Sequence, residues 1–96
     1  MSSTFHERMQ ALRQAFAASL DHDVDKALRL LRAGDRDAAA ALIHQIAGRA
    51  GTFGAPQVSE AAGRIEQLLP HGSIDELEAA FTVLVQASIA ALESQP

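Results

Sequence analysis

The chain contains no cysteine, no tryptophan and no tyrosine, and only three prolines. Without cysteine it can form no disulfide and no thiolate metal site, the usual staples of small secreted domains. Aromatic residues make up only 4% of the 96 residues, although 48% are hydrophobic. Any core must therefore be mostly aliphatic, and the abundant Ala, Leu and Ile residues are favourable or neutral in helices.

The sequence also lacks an excess of positive charge and a long apolar run. Its formal net charge is −4, with eight Lys and Arg residues in total, whereas nucleic-acid binding needs clustered basic side chains. No apolar run approaches the length that spans a membrane, and the N-terminus lacks the apolar stretch of a signal peptide. We therefore expect a cytoplasmic protein that binds neither nucleic acid nor a membrane.

Apolar residues recur at spacings of three and four along four segments, which predicts an all-α fold. Asp35 is a plausible N-cap of the second helix, Pro56 suits the first turn of the third, and Ser73 with Glu76 forms a capping box for the fourth. Because short connections make neighbouring helices antiparallel, we predict an up-down-up-down four-helix bundle in a single domain, 1–96.

The N-terminal helical segment contains the polar triplet Asp21, His22 and Asp23. Short polar side chains compete for backbone hydrogen bonds and can break a helix. The segment is therefore either continuous with the first bundle helix or a separate short helix.

The second helix carries two contrasting faces when its residues are placed 100° apart. Opposite the predicted core face lies His44, surrounded by alanine and glycine where charged side chains would be usual. Glycine inside a helix costs about 1 kcal/mol relative to alanine. The bare face either leaves the imidazole open to another protein or lets a neighbouring helix pack closely. The predicted core residues are Ala39, Leu42, Ile46, Ala50 and Phe53.

Residues 44–54, HQIAGRAGTFG, resemble the signature of the histidine-containing phosphotransfer (HPt) domain family. In that family an apolar residue lies two positions after the phosphorylated histidine, a lysine is frequent at the third position and a glycine lies at the fourth. Small residues follow at the fifth and sixth positions, and a second glycine lies at the tenth. The resemblance covers about residues 36 to 69, including the family-like Ile65 and Glu66. The matching positions after His44 are Ile46, Gly48, Ala50 and Gly54.

The resemblance implies that His44 accepts a phosphoryl group from a receiver-domain aspartate and passes it to another receiver. It implies receiver domains and a hybrid sensor kinase as partners, no autonomous kinase activity, and no cofactor beyond the Mg²⁺ that the receiver supplies. We expect the protein to act as a monomer. The predicted partner-docking residues are Ala40, Ala41, Ala47, Gly48 and Gly51.

Two residues depart from the family pattern. Ala47 replaces the frequent lysine, and Arg49 replaces a small polar residue. Helical geometry places Arg49 about 140° around the helix from His44, so it does not substitute for a cation beside the phosphate. A degenerate module that binds a receiver or kinase without carrying phosphate therefore stays an alternative, as does a helical bundle that dimerises through its Ala/Gly face.

Glu66 is the candidate for orienting the His44 ring. In an antiparallel hairpin, residues equidistant from the turn lie level, and His44 and Glu66 are equidistant from Ala55. The carboxylate could then accept a hydrogen bond from one ring nitrogen and select the tautomer. An ordinary solvated glutamate is the competing interpretation.

The remaining histidines and the basic residues indicate no further site. His6, His22 and His71 have no second ligand at metal-binding spacing, so we predict no metal site. A basic cluster near the junction of the first two helices could steer an acidic receiver, although such charges usually lie on solvated faces. Its members are Lys26, Arg29, Arg32 and Arg36.

Overall fold

A computed structural model describes residues 2–93, and the helices lie where the sequence predicts them. They are α1 (Ser2–Arg32), α2 (Arg36–Thr52), α3 (Pro56–Leu68) and α4 (Ile74–Glu93). Each helix packs against the one before and after it, and α1 also packs against α4, which closes the ring. The predicted all-α, four-helix bundle is confirmed.

The helix α1 runs without interruption through the polar triplet at positions 21–23. Leu20 and Val24, which flank the triplet, are both buried in the core. Asp23 is held by Arg49 of α2, with 3.3 Å between its Oδ2 and the arginine Nη1. Core packing on both sides of the triplet therefore keeps these residues helical, and the continuous alternative is correct.

The predicted helix starts are confirmed by their hydrogen bonds. Asp35 caps α2, because its Oδ1 accepts a hydrogen bond of 3.1 Å from a backbone N–H of the first turn. Pro56 occupies the first turn of α3, where a backbone N–H is not needed. Glu76 N–H donates to Ser73 Oγ over 3.1 Å, and Ser73 N–H donates back to Glu76 Oε1 over 3.4 Å. These local signals set the helix starts and the connection lengths.

The connections between helices are stabilised by glycine and by one arginine. Gly34 and Gly54 have φ values of 84° and 74°, a left-handed conformation that glycine adopts without strain. Arg36 Nη1 donates to Leu69 O over 2.7 Å and to Gly72 O over 3.0 Å. The start of α2 is thereby tied to the α3–α4 connection.

The core is aliphatic, as the composition predicts, but the core face of α2 is rotated from the predicted one. Ile43 is completely buried, whereas Leu42 and Phe53 are only half-buried. The helix contacts both α1 and α3, so its buried stripe points between them. Phe53 instead faces Phe16 of α1, with 5.6 Å between the ring centroids. The largest fully buried side chains are Phe81, Leu20, Ile43, Ile46, Ile65, Leu77, Leu84 and Val58.

The first turns of α1 project beyond the other helices. The first core residue of α1 is Phe16, whose ring lies 5.6 Å from that of Phe53 at the end of the bundle. Before it, the side chains from Thr4 onward are exposed except for Met9, which is half-buried. We call the part of α1 before Phe16 the overhang. Within residues 2–93, no helix combines the length and apolar character needed to cross a membrane.

Candidate functional site

His44 lies on α2 next to the buried Ile43, yet its own side chain is 79% exposed. Its Nδ1 lies 3.1 Å from Oε2 of Glu66 on α3, which is hydrogen-bonding distance. The Glu66 side chain is 34% exposed, so the carboxylate is partly sheltered between the helices. One ring nitrogen therefore has a fixed partner, while the ring as a whole faces solvent.

The register of the α2–α3 hairpin brings this pair together. His44 and Glu66 are 22 residues apart with Ala55 at the midpoint, the residue that precedes Pro56 at the start of α3. Closer to the turn, Ser59 Oγ donates to Ala47 O over 3.2 Å and holds the same register. The predicted proximity of His44 and Glu66 is thus observed, while the mechanistic role of Glu66 stays a prediction.

On the α2 side, the imidazole is surrounded by residues with small side chains and is open to solvent. Ala41, Gly48 and Gly51 are exposed. A Cβ atom placed on Gly48 would meet nothing within 4 Å, and one placed on Gly51 would meet only Ser59 Oγ at 3.9 Å. We call these three residues together with His44 the His44 face. No described neighbouring helix covers it.

The other two predicted docking residues, Ala40 and Ala47, are half-buried and pack against the core. They lie on the side of α2 that meets α3, so they allow the two helices to approach closely beside His44. Small residues at these positions thus have a packing role that the helix face alone did not reveal. Their part in docking stays a prediction.

Gly63 extends the bare surface onto α3, and sequence reasoning missed it. It lies three residues before Glu66, roughly one turn along the same helix, and is half-buried. A Cβ atom there would meet nothing within 4 Å. Its spacing from Glu66 could have identified it, but only once Glu66 is known to lie beside His44.

The charge around the site is set by one carboxylate. Within residues 2–93, Glu66 is the only charged side chain that contacts the His44 ring. Arg49 points instead to Asp23 on α1, as its position on the helix predicts, and Ala47 carries no charge. This protein therefore places an acceptor at Nδ1 and no cation of its own in contact with the ring.

Most of the predicted basic cluster is engaged in contacts within the bundle. Arg29 pairs with Asp25 one turn earlier in α1. Arg32 reaches Glu78 of α4 over 2.6 Å, and Arg36 holds the carbonyl groups described above. Arg32 and Arg36 thus link one helix to another part of the bundle, whereas Arg29 pairs within α1.

Comparison with known protein families agrees with the geometry. The family model of the Hpt domain matches residues 11–95, which include all of α2 and α3 and therefore both His44 and Glu66. Searches among curated proteins and among solved structures found no match. A single family model that covers most of the chain, together with the four-helix architecture, shows that this chain belongs to the Hpt domain family, the histidine phosphotransfer modules that interact with receiver domains in phosphorelays.

Proposed function

We propose that the protein accepts a phosphoryl group on His44 from the aspartyl phosphate of one receiver domain and passes it to the aspartate of another. The observation that carries this proposal is the exposure of the His44 side chain, 79%, beside a helix surface stripped to alanine and glycine. Such a surface lets a second protein bring its aspartate up to the ring.

The contact with Glu66 supports Nε2 as the reactive atom. A neutral imidazole has one protonated and one free ring nitrogen. We infer that Nδ1–H donates to Glu66 Oε2, which leaves the lone pair of Nε2 directed away from the carboxylate. Proximity and orientation of this kind are the main contribution that a small carrier makes to phosphoryl transfer.

The transfer step needs no group beyond the two proteins and the receiver's metal ion. Nε2 attacks phosphorus, the Nε2–P bond forms, and the bond between phosphorus and the aspartyl oxygen breaks to release the carboxylate. The ring keeps its Nδ1 proton and becomes cationic, and the Glu66 carboxylate stabilises that charge. Attack by the aspartate of the second receiver reverses these changes.

The receiver is proposed to supply the positive charge. Ala47 and Arg49 place no cation beside the ring, so the Mg²⁺ and the cation that neutralise the transferring group come with the receiver. On this proposal the protein has no cofactor of its own and no autonomous kinase activity. A hybrid sensor kinase feeds the relay in the cytoplasm, and neither nucleic acid nor a membrane takes part.

A transfer assay tests the proposal directly. The protein is incubated with a receiver phosphorylated on its aspartate and Mg²⁺, and we expect an acid-labile, base-stable phosphate on the wild type. His44→Gln abolishes the label, whereas the matched control His71→Gln, which changes another exposed histidine, keeps it. Label retained on His44→Gln would exclude His44 as the acceptor.

A second experiment isolates the positioning role of Glu66. We expect Glu66→Ala to slow transfer on the order of tenfold to a hundredfold, because the ring loses its fixed orientation. Nitrogen NMR of the His44 ring should show the loss of one dominant tautomer. Glu60→Ala, which removes a carboxylate elsewhere on α3, is the matched control. Unchanged rate and tautomer in Glu66→Ala would remove Glu66 from the mechanism.

The absence of a basic side chain at Ala47 supports one alternative, a module that binds a receiver or kinase without carrying phosphate. Binding without labelling separates it from the main proposal. If several receivers bind the wild type in a titration but none labels it, the protein is a docking module. The third interpretation, dimerisation through the His44 face, requires a dimer that a bulky side chain at Gly48 abolishes.

A further inference from the structure

A shallow recess on the outer surface of α1 has no part in the transfer step proposed above. It has a volume of about 380 Å³ and is lined by His22, Lys26, Arg29 and Leu30. We call these four residues the α1 recess. Leu30 is half-buried and packs against the core, whereas the other three side chains are exposed and basic. The recess therefore places basic side chains around one apolar side chain.

Lys26 carries the uncompensated charge of the recess. Arg29 is paired with Asp25, and the neighbouring Arg49 of α2 is paired with Asp23. Lys26 is exposed, and no ion pair joins it to any residue between positions 2 and 93. Its ammonium group is a compact charge with three hydrogen-bond donors, which suits a carboxylate from outside the chain.

Lys26 lies level with His44 along the bundle. Two contacts between α1 and α2 define the register of these antiparallel helices. Counting from the ring contact at Phe16 places Lys26 level with residue 43 of α2. Counting from the ion pair at Asp23 places it level with residue 46. Both contacts therefore place Lys26 within about 3 Å of His44 along the helix axis.

Lys26 also lies on the side of α1 that borders the His44 face. It comes one helical turn after Asp23, whose carboxylate contacts Arg49 of α2. Packed helices lie about 8–10 Å apart, and the exposed His44 ring projects from the outer surface of α2. One interhelical distance plus the reach of the two side chains separates the Lys26 ammonium from the His44 ring by roughly 15 Å.

We propose that the α1 recess binds an acidic side chain at the rim of the receiver's docking surface, with Lys26 as the main contact. The proposal rests on the proposed phosphotransfer through His44 and adds a chemical property of the partner. A standard interface covers about 800 Å² of each protein, and a circular patch of that area has a radius of about 16 Å. A receiver centred on His44 therefore reaches Lys26 at its rim.

This contact selects among receivers. The other residues of the His44 face are Ala41, Gly48 and Gly51, which carry no charge. They accept any receiver of suitable shape, so discrimination falls to charged groups around them. A receiver with a carboxylate about 15 Å from its phosphorylated aspartate, on the side that faces α1, pairs with Lys26. A receiver with a lysine or arginine in that place is repelled.

Lys26 acts on the association of the two proteins and not on the chemical step. It is too far from the His44 ring to touch the transferring phosphoryl group, so it does not replace the cation missing at Ala47. Exposed charges are screened over about 10 Å at 0.1 M ionic strength. We therefore expect Lys26 to affect the second-order rate constant of transfer and its salt dependence, while the rate at saturating receiver stays unchanged.

Transfer from the phosphorylated receiver, measured over a range of receiver and salt concentrations, tests the proposal. Lys26→Glu should lower the second-order rate constant about tenfold at low salt and less than about twofold at high salt. The rate at saturating receiver should be that of the wild type. Lys26→Arg, which keeps the positive charge, should behave like the wild type at both salt concentrations.

Two charge reversals elsewhere are matched controls, because they change the net charge by the same amount. Arg64 is exposed and lies within about 3 Å of the level of His44, but it lines the groove between α3 and α4. Arg13 lies in the overhang, about 20 Å along α1 from Lys26. Arg64→Glu and Arg13→Glu should each change the rate constant less than about twofold.

The outcomes separate this proposal from the proposed function. A wild type that no receiver labels overturns both. A labelled wild type with an unimpaired Lys26→Glu variant overturns only the role of the α1 recess. Equal losses in Lys26→Glu and in either control also overturn it, since net charge alone would then explain the effect.

Charge reversal in the receiver identifies the paired residue. Each exposed carboxylate around the receiver's phosphorylated aspartate is replaced by lysine and tested with the wild type and with Lys26→Glu. One such receiver should transfer more slowly to the wild type and restore most of the rate lost in Lys26→Glu, as a double-mutant cycle requires for a direct pair. If no reversal restores the rate, Lys26 has no specific partner and the proposal is wrong.

Discussion

Gly48 offers a test in which stability and function change in opposite directions. It lies inside α2, one turn after His44, is exposed, and has a backbone φ that ordinary residues adopt. A Cβ atom there would meet nothing within 4 Å. The fold therefore has no need of glycine at this position, and any need for it comes from what binds the His44 face.

The size of both effects follows from this geometry. Replacing a helical glycine by alanine gains about 1 kcal/mol of helix propensity, which corresponds to a rise in Tm of about 4–8 °C for a domain of this size. Gly48→Gln should keep most of that gain, since glutamine is also a good helix former. Its side chain would stand between a receiver and the ring, so transfer should fall on the order of a hundredfold.

The assay pairs thermal unfolding with phosphotransfer from a labelled receiver. Gly48→Ala should be more stable and nearly as active as the wild type, whereas Gly48→Gln should be more stable and almost inactive. Ala79→Gln, which adds the same side chain to an exposed position of α4, is the control for bulk. If Gly48→Gln transfers phosphate at the wild-type rate, the receiver does not dock over Gly48. A destabilised Gly48→Ala would contradict the observed open space.

Three further substitutions test contacts that hold the bundle. Arg36→Ala should lower the free energy of unfolding by about 1–3 kcal/mol, because the carbonyl groups of Leu69 and Gly72 lose a charged donor. Chemical denaturation measures this change, and an unchanged midpoint would show that water replaces the arginine. Asp35→Ala should cost about 1 kcal/mol through loss of the N-cap, whereas Asp35→Asn should cost less in the same experiment. Arg49→Ala should change stability by about 1 kcal/mol, since its ion pair with Asp23 is 3.3 Å long and the Arg49 side chain is half exposed. It should leave the rate of transfer unchanged, and a slower transfer would place Arg49 in the docking surface.

The helix boundaries and the pairing of His44 with Glu66 were predictable from the sequence because they depend on local chemistry. An N-cap such as Asp35 acts on backbone groups within one turn, and Pro56 restricts its own φ. Once the turn at Ala55 is placed, helical rise alone determines which residues of α2 and α3 lie level. No knowledge of the other two helices was needed.

The rotation of α2 and the continuity of α1 were not predictable in this way. A periodic pattern identifies an apolar side of α2, but whether Ile43 or Leu42 lies at its centre depends on the position of both neighbouring helices. Likewise, short polar side chains at Asp21 and Asp23 weaken a helix locally, and only burial of the residues on either side and the contact of Asp23 with Arg49 overcome that preference.

Capping, apolar periodicity and side-chain volume act over a few residues, so the sequence alone predicted an all-α bundle, the order of its helices, an aliphatic core and a histidine on a bare helix face. Packing of the helices against one another placed Ala40 and Ala47 where α2 meets α3, added Gly63 to the exposed surface, and left the start of α1 projecting beyond the other described helices. Each of these depends on which distant side chains come into contact, and that is settled by packing of the whole bundle.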